Sequence, residues 1–265
     1  MLKKAKNYKP WLSAAFYWWP ISLLTLLLFF AIFGSWIAPF DPDRQNLLAR
    51  LKDPGFEARG AVYWLGSDEL GRDVLSRVIH GAKVSISVAF LSVILSGSVG
   101  VAVGMAAGYL RGWSETILMR LVDIFLSIPA ILLAIITVAV LGPGFINVIL
   151  VLSLTRWPRY ARVAYGQTLT IANRPYVTLA HAMGASAPRI LVMHILPNIV
   201  GPLLVVATLE FGLMVLFEAG LSFLGLGVQP PTASWGSMLS TGRNYVGSAW
   251  WIATFPGLAL FLLVL

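Results

Sequence analysis

Ionisable side chains are scarce in this sequence, and their positions limit the chemistry available to it. Asp123, Glu210 and Glu218 lie in or beside long apolar runs. A carboxylate at such a depth is expensive to hold and commonly serves a proton or cation pathway. Glu210 is nearest the middle of its run, whereas Asp123 and Glu218 fall near run ends, where either could be wetted. His80, His181 and His194 are too scattered to suggest a metal site. Cysteine is absent, which removes disulfides, Cys-ligated metals and thiol catalysis. No H-E-x-x-H, G-x-S-x-G or G-x-x-x-x-G-K occurs. The reading therefore expects no catalytic, cofactor-binding or metal-ligating residue, and assigns any ATP use to another chain. The carboxylates leave open an ion-coupled secondary transporter.

The elements that would hold these groups are membrane helices. The chain has 265 residues, 58% hydrophobic and 11% charged, with mean hydropathy +0.82. Soluble domains carry about 25% charge, so an ordinary soluble enzyme and a disordered chain are both excluded. A helix needs about 20 mostly apolar residues to cross a bilayer core. Six runs qualify as spans: 16–38, 84–110, 121–141, one from Phe145 onward, 198–220 and 249–265. The first follows Lys3, Lys4, Lys6 and Lys9 and lacks a small-x-small cleavage site, so it reads as a span rather than a leader. The fourth meets Arg156, Trp157, Pro158 and Arg159, and is expected to continue past them with its arginines snorkelling to headgroups.

With the N-terminus inside, the inner segments hold eleven Lys+Arg and one acid, the outer segments eight Lys+Arg and seven acids. This favours both termini on the cytoplasmic side. The net charge of +8 then marks an inner face and not a nucleic-acid surface. The expected layout is an inner segment 1–15, a first span 16–38, an outer loop 39–83 and a membrane core 84–265. Within the outer loop, Leu70, Val74, Leu75, Val78 and Ile79 share one helical face, and Gly81 reads as a stop. A separate amphipathic helix lying on the outer surface is expected there. In the second span, Ser92, Ser96, Gly100, Gly104 and Gly108 recur at steps of four. Such a stripe lets another helix backbone approach closely, within this chain or in a second subunit.

The inner loop 166–197 carries the densest signals. Asn173 reads as an N-cap, Pro175 suits a first helical turn, and Gly184 suits a left-handed end. Tyr176, Leu179, Ala180 and Met183 fall on one apolar face. A second helix starts at Ser186 and Pro188 and is expected to stop at Pro197. A helix as short as 174–184 needs packing against its own bundle or a cytoplasmic partner.

This loop resembles the EAA motif of ABC-importer permeases. Thr178, Leu179 and Ala180 hold the E-A-A positions, followed by Gly184, Leu196 and Pro197; His194 and Asn198 match the H-x-L-P-N form of the dipeptide/oligopeptide/nickel branch. LGSDELGRDVLSRVIHGAKVSIS, MRLVDIFLSIPAILLAI and EAGLSFLGLGVQPPTASWGSML resemble further segments of that branch in order. The resemblance implies an all-α type I ABC permease fold with six spans, and the second, C-type permease subunit of the bacterial inner membrane. It implies a B-type permease partner, two cytoplasmic ATPases that bind the ATP, and a periplasmic or lipid-anchored solute-binding protein. ATPase coupling would then fall to Tyr176, Thr178, Leu179, Ala180, Met183 and Gly184. Two departures stand out. The motif's Glu is Thr178, which removes an ionic contact, and the family's tail with G-D and R-D elements does not appear by Leu265, so either that tail is missing from the sequence or the last helix is unusual.

Overall fold

The computed structural model describes residues 22, 25, 26, 28–58 and 61–265. Lys3, Lys4, Lys6, Lys9 and the inner segment 1–15 lie outside the described residues, as does the start of the first span. Its described end is the apolar helix α1, Leu28–Ile37. The chain continues through a short hairpin, β1 (Phe56–Ala58) paired antiparallel with β2 (Ala61–Tyr63). Long helices follow: α2 (Val74–Leu110), α3 (Gly112–Ser127), α4 (Ala130–Leu141) and α5 (Phe145–Ala172). Then come the short α6 (Pro175–Ala182) and α7 (Ala187–Ile190), a π-turn at Leu191–Ile195, and α8 (Leu196–Phe223). The chain closes with α9 (Trp235–Gly242) and α10 (Trp251–Val264). The fold is almost entirely helical, as the sequence implies, with the small hairpin as an addition.

By length and composition, α2 and the continuous helix 187–223 are able to cross a membrane, and α3 with α4 would make a third span as one bent pair. α1 and α10 are shorter apolar helices. α5 has 28 residues, about 42 Å of helix, but Arg156, Arg159 and Arg162 interrupt its apolar surface. Apolar side chains such as Trp113 and Val140 stand exposed on outward faces.

Several sequence expectations are corrected. The amphipathic segment of the outer loop is not a separate surface helix. It is the first two turns of α2, which starts at Asp73 and runs unbroken through Gly81 to Leu110. The Asp73 carboxylate accepts from the Ser76 amide at 2.8 Å and the Ser76 hydroxyl at 2.6 Å, fixing the N-terminus. Gly81 is a packing site and no stop. A Cβ there would sit 2.8 Å from the Trp235 ring, whose Nε1 donates to the Val78 carbonyl at 2.9 Å. The charges that interrupt the apolar face are clamped by the segment that precedes α2: Arg72 pairs with Asp68 at 2.6 Å, and Arg77 donates to the Pro42 carbonyl at 3.1 Å.

The helix expected as the third span is broken, not straight. α3 and α4 meet at 92° around Ile128 and Pro129. Proline lacks an N–H and pushes its predecessor to an extended conformation, and Ile128 has φ −90° and ψ 129°. Pro197, by contrast, does not end the helix before it. The π-turn Leu191–Ile195 precedes α8, with Pro197 in its first turn. The wider turn shifts the hydrogen-bond ladder just where proline has no N–H to give.

The small-residue stripe packs inside this chain. α2 and α5 form the most extensive helix pair, and they run parallel. Ser92 donates to the Ile149 carbonyl at 3.4 Å. Gly100 abuts the Trp157 carbonyl, and Gly104 the Ala161 carbonyl. A Cβ on Gly108 would lie 2.9 Å from the Thr168 Cβ. Ser92, Ser96, Gly100, Gly104 and Gly108 are all buried. Gly104→Leu should therefore force α2 from α5 at a cost of about 3 kcal/mol or more, read as a loss of folded protein after extraction. Gly166→Leu, where nothing lies within 4 Å of an added Cβ, should extract normally. Equal recovery of both variants would count against the close approach.

Candidate functional site

Two regions gather the residues that could act. The first is α6. Arg174, at φ −74° and ψ 142°, is its N-cap, with Pro175 at the first helical position. The expected cap, Asn173, instead closes α5: its amide donates to the Leu169 carbonyl at 2.7 Å. The far end is a Schellman closure. The Ala185 amide bonds the Ala180 carbonyl at 3.1 Å and the Gly184 amide the His181 carbonyl at 2.9 Å, with Gly184 at φ +85°. Thr178 is exposed, and its hydroxyl turns back on the Arg174 carbonyl at 3.4 Å.

The helix has two unlike faces. Val177, buried to 2%, packs with Ala164, Ile190, Ile195 and Ile199. Tyr176, Leu179 and Met183 point away and are 45%, 61% and 77% exposed, with Ala180 half-buried. A cleft of about 390 Å³ runs beside α6, bordered by Arg111, Asn173, Thr178 and His181. Of the sequence-predicted residues, the structure thus brings Tyr176, Leu179 and Met183 onto one uncovered apolar patch. Val177, which anchors the helix, was missed. Its signal was an apolar residue on the face opposite Leu179.

The second region lies halfway along α5 and α8. Glu210 is 3% exposed. Arg159 Nη1 donates to its Oε1 at 3.2 Å, and Arg156 Nη1 stands 3.5 Å from its Oε2, within ion-pair range but without hydrogen-bond geometry. The Arg156 guanidinium also lies 4.0 Å from the centre of the Phe217 ring. Arg156 is buried, so it does not snorkel to the headgroups; Glu210 and Phe217 hold it between α5 and α8. Arg162 pairs with Asp123 of α3, and both are about half exposed. An open groove of about 740 Å³ runs along these residues.

Glu218 corrects a second expectation. It is fully buried, not wetted, and accepts from the Ser222 hydroxyl at 2.7 Å. Among the described residues, no three His, Cys, Asp or Glu side chains group as metal ligands.

Residues 100–265 match the family described as "Binding-protein-dependent transport system inner membrane component". Residues 21–54 match the "N-terminal TM domain of oligopeptide transport permease C". The chain is 43% identical to the "Di/tripeptide transport system permease protein DppC" of Pseudomonas aeruginosa (strain UCBPP-PA14), covering 91% of this chain and 80% of that protein. It is 45% identical to the "Dipeptide transport system permease protein DppC" of Escherichia coli (strain K12), covering 91% and 81%. It is 38% identical to the "Glutathione transport system permease protein GsiD" of Pectobacterium atrosepticum, covering 91% and 78%. A chain from inward-facing structures of the MetNI methionine ABC transporter shares the fold, at TM-score 0.58 and 22% identity over 71% of this chain and 89% of that one.

The pairing of Glu210 is open to direct test. Glu210→Leu leaves Arg156 charged and buried without its partner, and should lower stability in detergent by about 3–5 kcal/mol. Arg156→Met combined with Glu210→Leu should recover much of that loss. Thermal unfolding of the purified protein reads both, and a double variant as unstable as the single one would show that the pair is not the unit.

Proposed function

This chain belongs to the family of binding-protein-dependent transport system inner membrane components, and from that membership we propose how its geometry serves an importer of peptides. The chain is a permease subunit of an ABC importer. In the proposed reading it forms half of the translocation pathway beside a B-type permease. Two cytoplasmic ATPases bind and hydrolyse the ATP, and a solute-binding protein delivers cargo from outside. Its relatives are named for di- and tripeptides, dipeptides and glutathione. A peptide or peptide-like solute follows from these names. Both termini of this permease would face the cytoplasm.

One observation carries the coupling role: the capped helix α6 with its uncovered Tyr176, Leu179 and Met183. A cytoplasmic ATPase seated on this patch would bury the three side chains and border the cleft at Arg111 and His181. Thr178 gives it no charge to pair with, so apolar contact would carry the attachment. Movement of the ATPases would then displace α6, and through Val177 the inner ends of α5 and α8. The secondary-transporter reading loses ground on two counts. The family membership is one. The other is Glu210, whose carboxylate is held between two arginines and is poorly placed to carry ions.

Gly184→Val tests this reading. Valine at φ +85° meets the steric penalty of the left-handed region, about 1–2 kcal/mol, and opens the Schellman turn. ATP-driven peptide uptake in reconstituted liposomes should fall by about tenfold or more, a coupling loss of roughly 1.4 kcal/mol or more. ATPase activity and membrane insertion should persist. Full uptake by the variant would sink the coupling role of α6.

A further inference from the structure

The mid-helix charges on α5 and α8 do not balance. Arg156 and Arg159 flank Glu210, and Arg162 is matched by Asp123. Three guanidinium groups therefore share two carboxylates within this cluster. Arg156 is closed off from solvent, buried between Glu210 and the Phe217 ring. Arg159 is not. It gives Glu210 one hydrogen bond, its side chain is 53% exposed, and it lines the open groove. A guanidinium carries five donors, so Arg159 retains capacity for a second anion.

Its place in the helix sharpens the point. Arg159 is the fifteenth residue of the 28 in α5, and Glu210 the fifteenth of the 28 in α8. A cation exposed on a groove between apolar helices does not face lipid; it faces water or protein. Arg162, Glu210 and Thr208 also border the groove, and the rest of its wall is apolar, with Leu126, Val206, Leu209, Leu213 and Leu216. Its volume of about 740 Å³ suits a small organic molecule.

We propose that Arg159 is a contact on the solute pathway for a carboxylate. The groove takes a small solute with one free carboxylate and an apolar body, such as a dipeptide. Its carboxylate engages Arg159 while its side chains lie along Leu209 and Leu213. This rests on the reading of the chain as half of a peptide pathway. Arginine matches a carboxylate in a planar, two-bonded geometry. Glu210, bonded to the same guanidinium, fixes its direction and offsets part of its charge. A pathway site must release what it holds, and a half-neutralised cation does so.

The test uses the assembled importer in liposomes with its binding protein and ATP. Two probes are needed: radiolabelled dialanine for uptake, and the photoreactive dipeptide alanyl-p-benzoylphenylalanine for position. In the wild type, photolabel should fall on α5 and α8 along the groove. Arg159→Met should cut both labelling and uptake roughly tenfold or more at equal amounts of assembled complex, as expected for losing a charge-assisted hydrogen bond. Arg159→Lys should restore a large part of both. Unchanged labelling and uptake in Arg159→Met would overturn the proposal. So would a variant that fails to hold the partner permease yet transports normally in the complexes that form, since the groove would then be a subunit interface. If the wild type takes up no peptide, it is the proposed cargo that fails. Groove labelling that depends on Arg159 would still uphold a carboxylate site, and its absence would still overturn it.

Discussion

Close contact between α2 and α5 is the constraint on which the rest of the fold depends. In lipid, apolar burial gives little drive between helices, so association relies on backbone approach and on hydrogen bonds. Gly100, Gly104 and Gly108 remove the side chains that would hold the helices apart, and each lies against α5 backbone or Cβ atoms. Ser92 and Ser153 add crossing hydrogen bonds at the other end of the pair. With α5 fixed in rotation, Arg156 turns toward α8 and Arg159 toward the groove. α3 then docks on the same pair through Met119 and Val122, against Ala107, Trp157 and Ala161.

That fixed rotation makes the mid-helix charges tolerable. A buried guanidinium without a partner would be strongly destabilising, and a buried pair seldom gains much over an apolar replacement. The arrangement is therefore weak evidence for stability and better evidence for a task. Arg156 is held for structure by Glu210 and Phe217, while Arg159 is left half exposed on the same carboxylate. Two arginines three residues apart on one helix thus meet different surroundings, because α8 covers one and the groove leaves the other open.

Local signals in the sequence were legible, whereas those depending on distant partners were not. The turn at Gly184 could be read because a Schellman closure is built from neighbours. The stripe from Ser92 to Gly108 could be read from its spacing, though not which helix it meets. Gly81 looked like a stop because the Trp235 ring that packs on it is far along the chain. The same limit hid the partner of Arg156, since Glu210 lies on another helix and a lone arginine in an apolar run suggests snorkelling. Pro129 and Pro197 show a third limit. Both offer the same break in the ladder, but only the second follows a π-turn that carries the helix past it.

These contacts also join the two candidate regions without a loop between them. Val177 of α6 packs with Ile195, the last residue of the π-turn, and with Ile199 in the first turn of α8. Single π-turns inside α-helices are frequently found at functional sites, and this one stands at the start of α8, where α6 packs. A force on α6 reaches that turn first, before the regular helix beyond it. Farther along α8 stands Glu210, which holds Arg159 at the groove. Displacing α8 relative to α5 would alter the separation of these two residues, because one sits on each helix. The α2–α5 pair, held by backbone contact, and α8, which meets α6 through Ile199, are thus the two units that share the mid-helix charges.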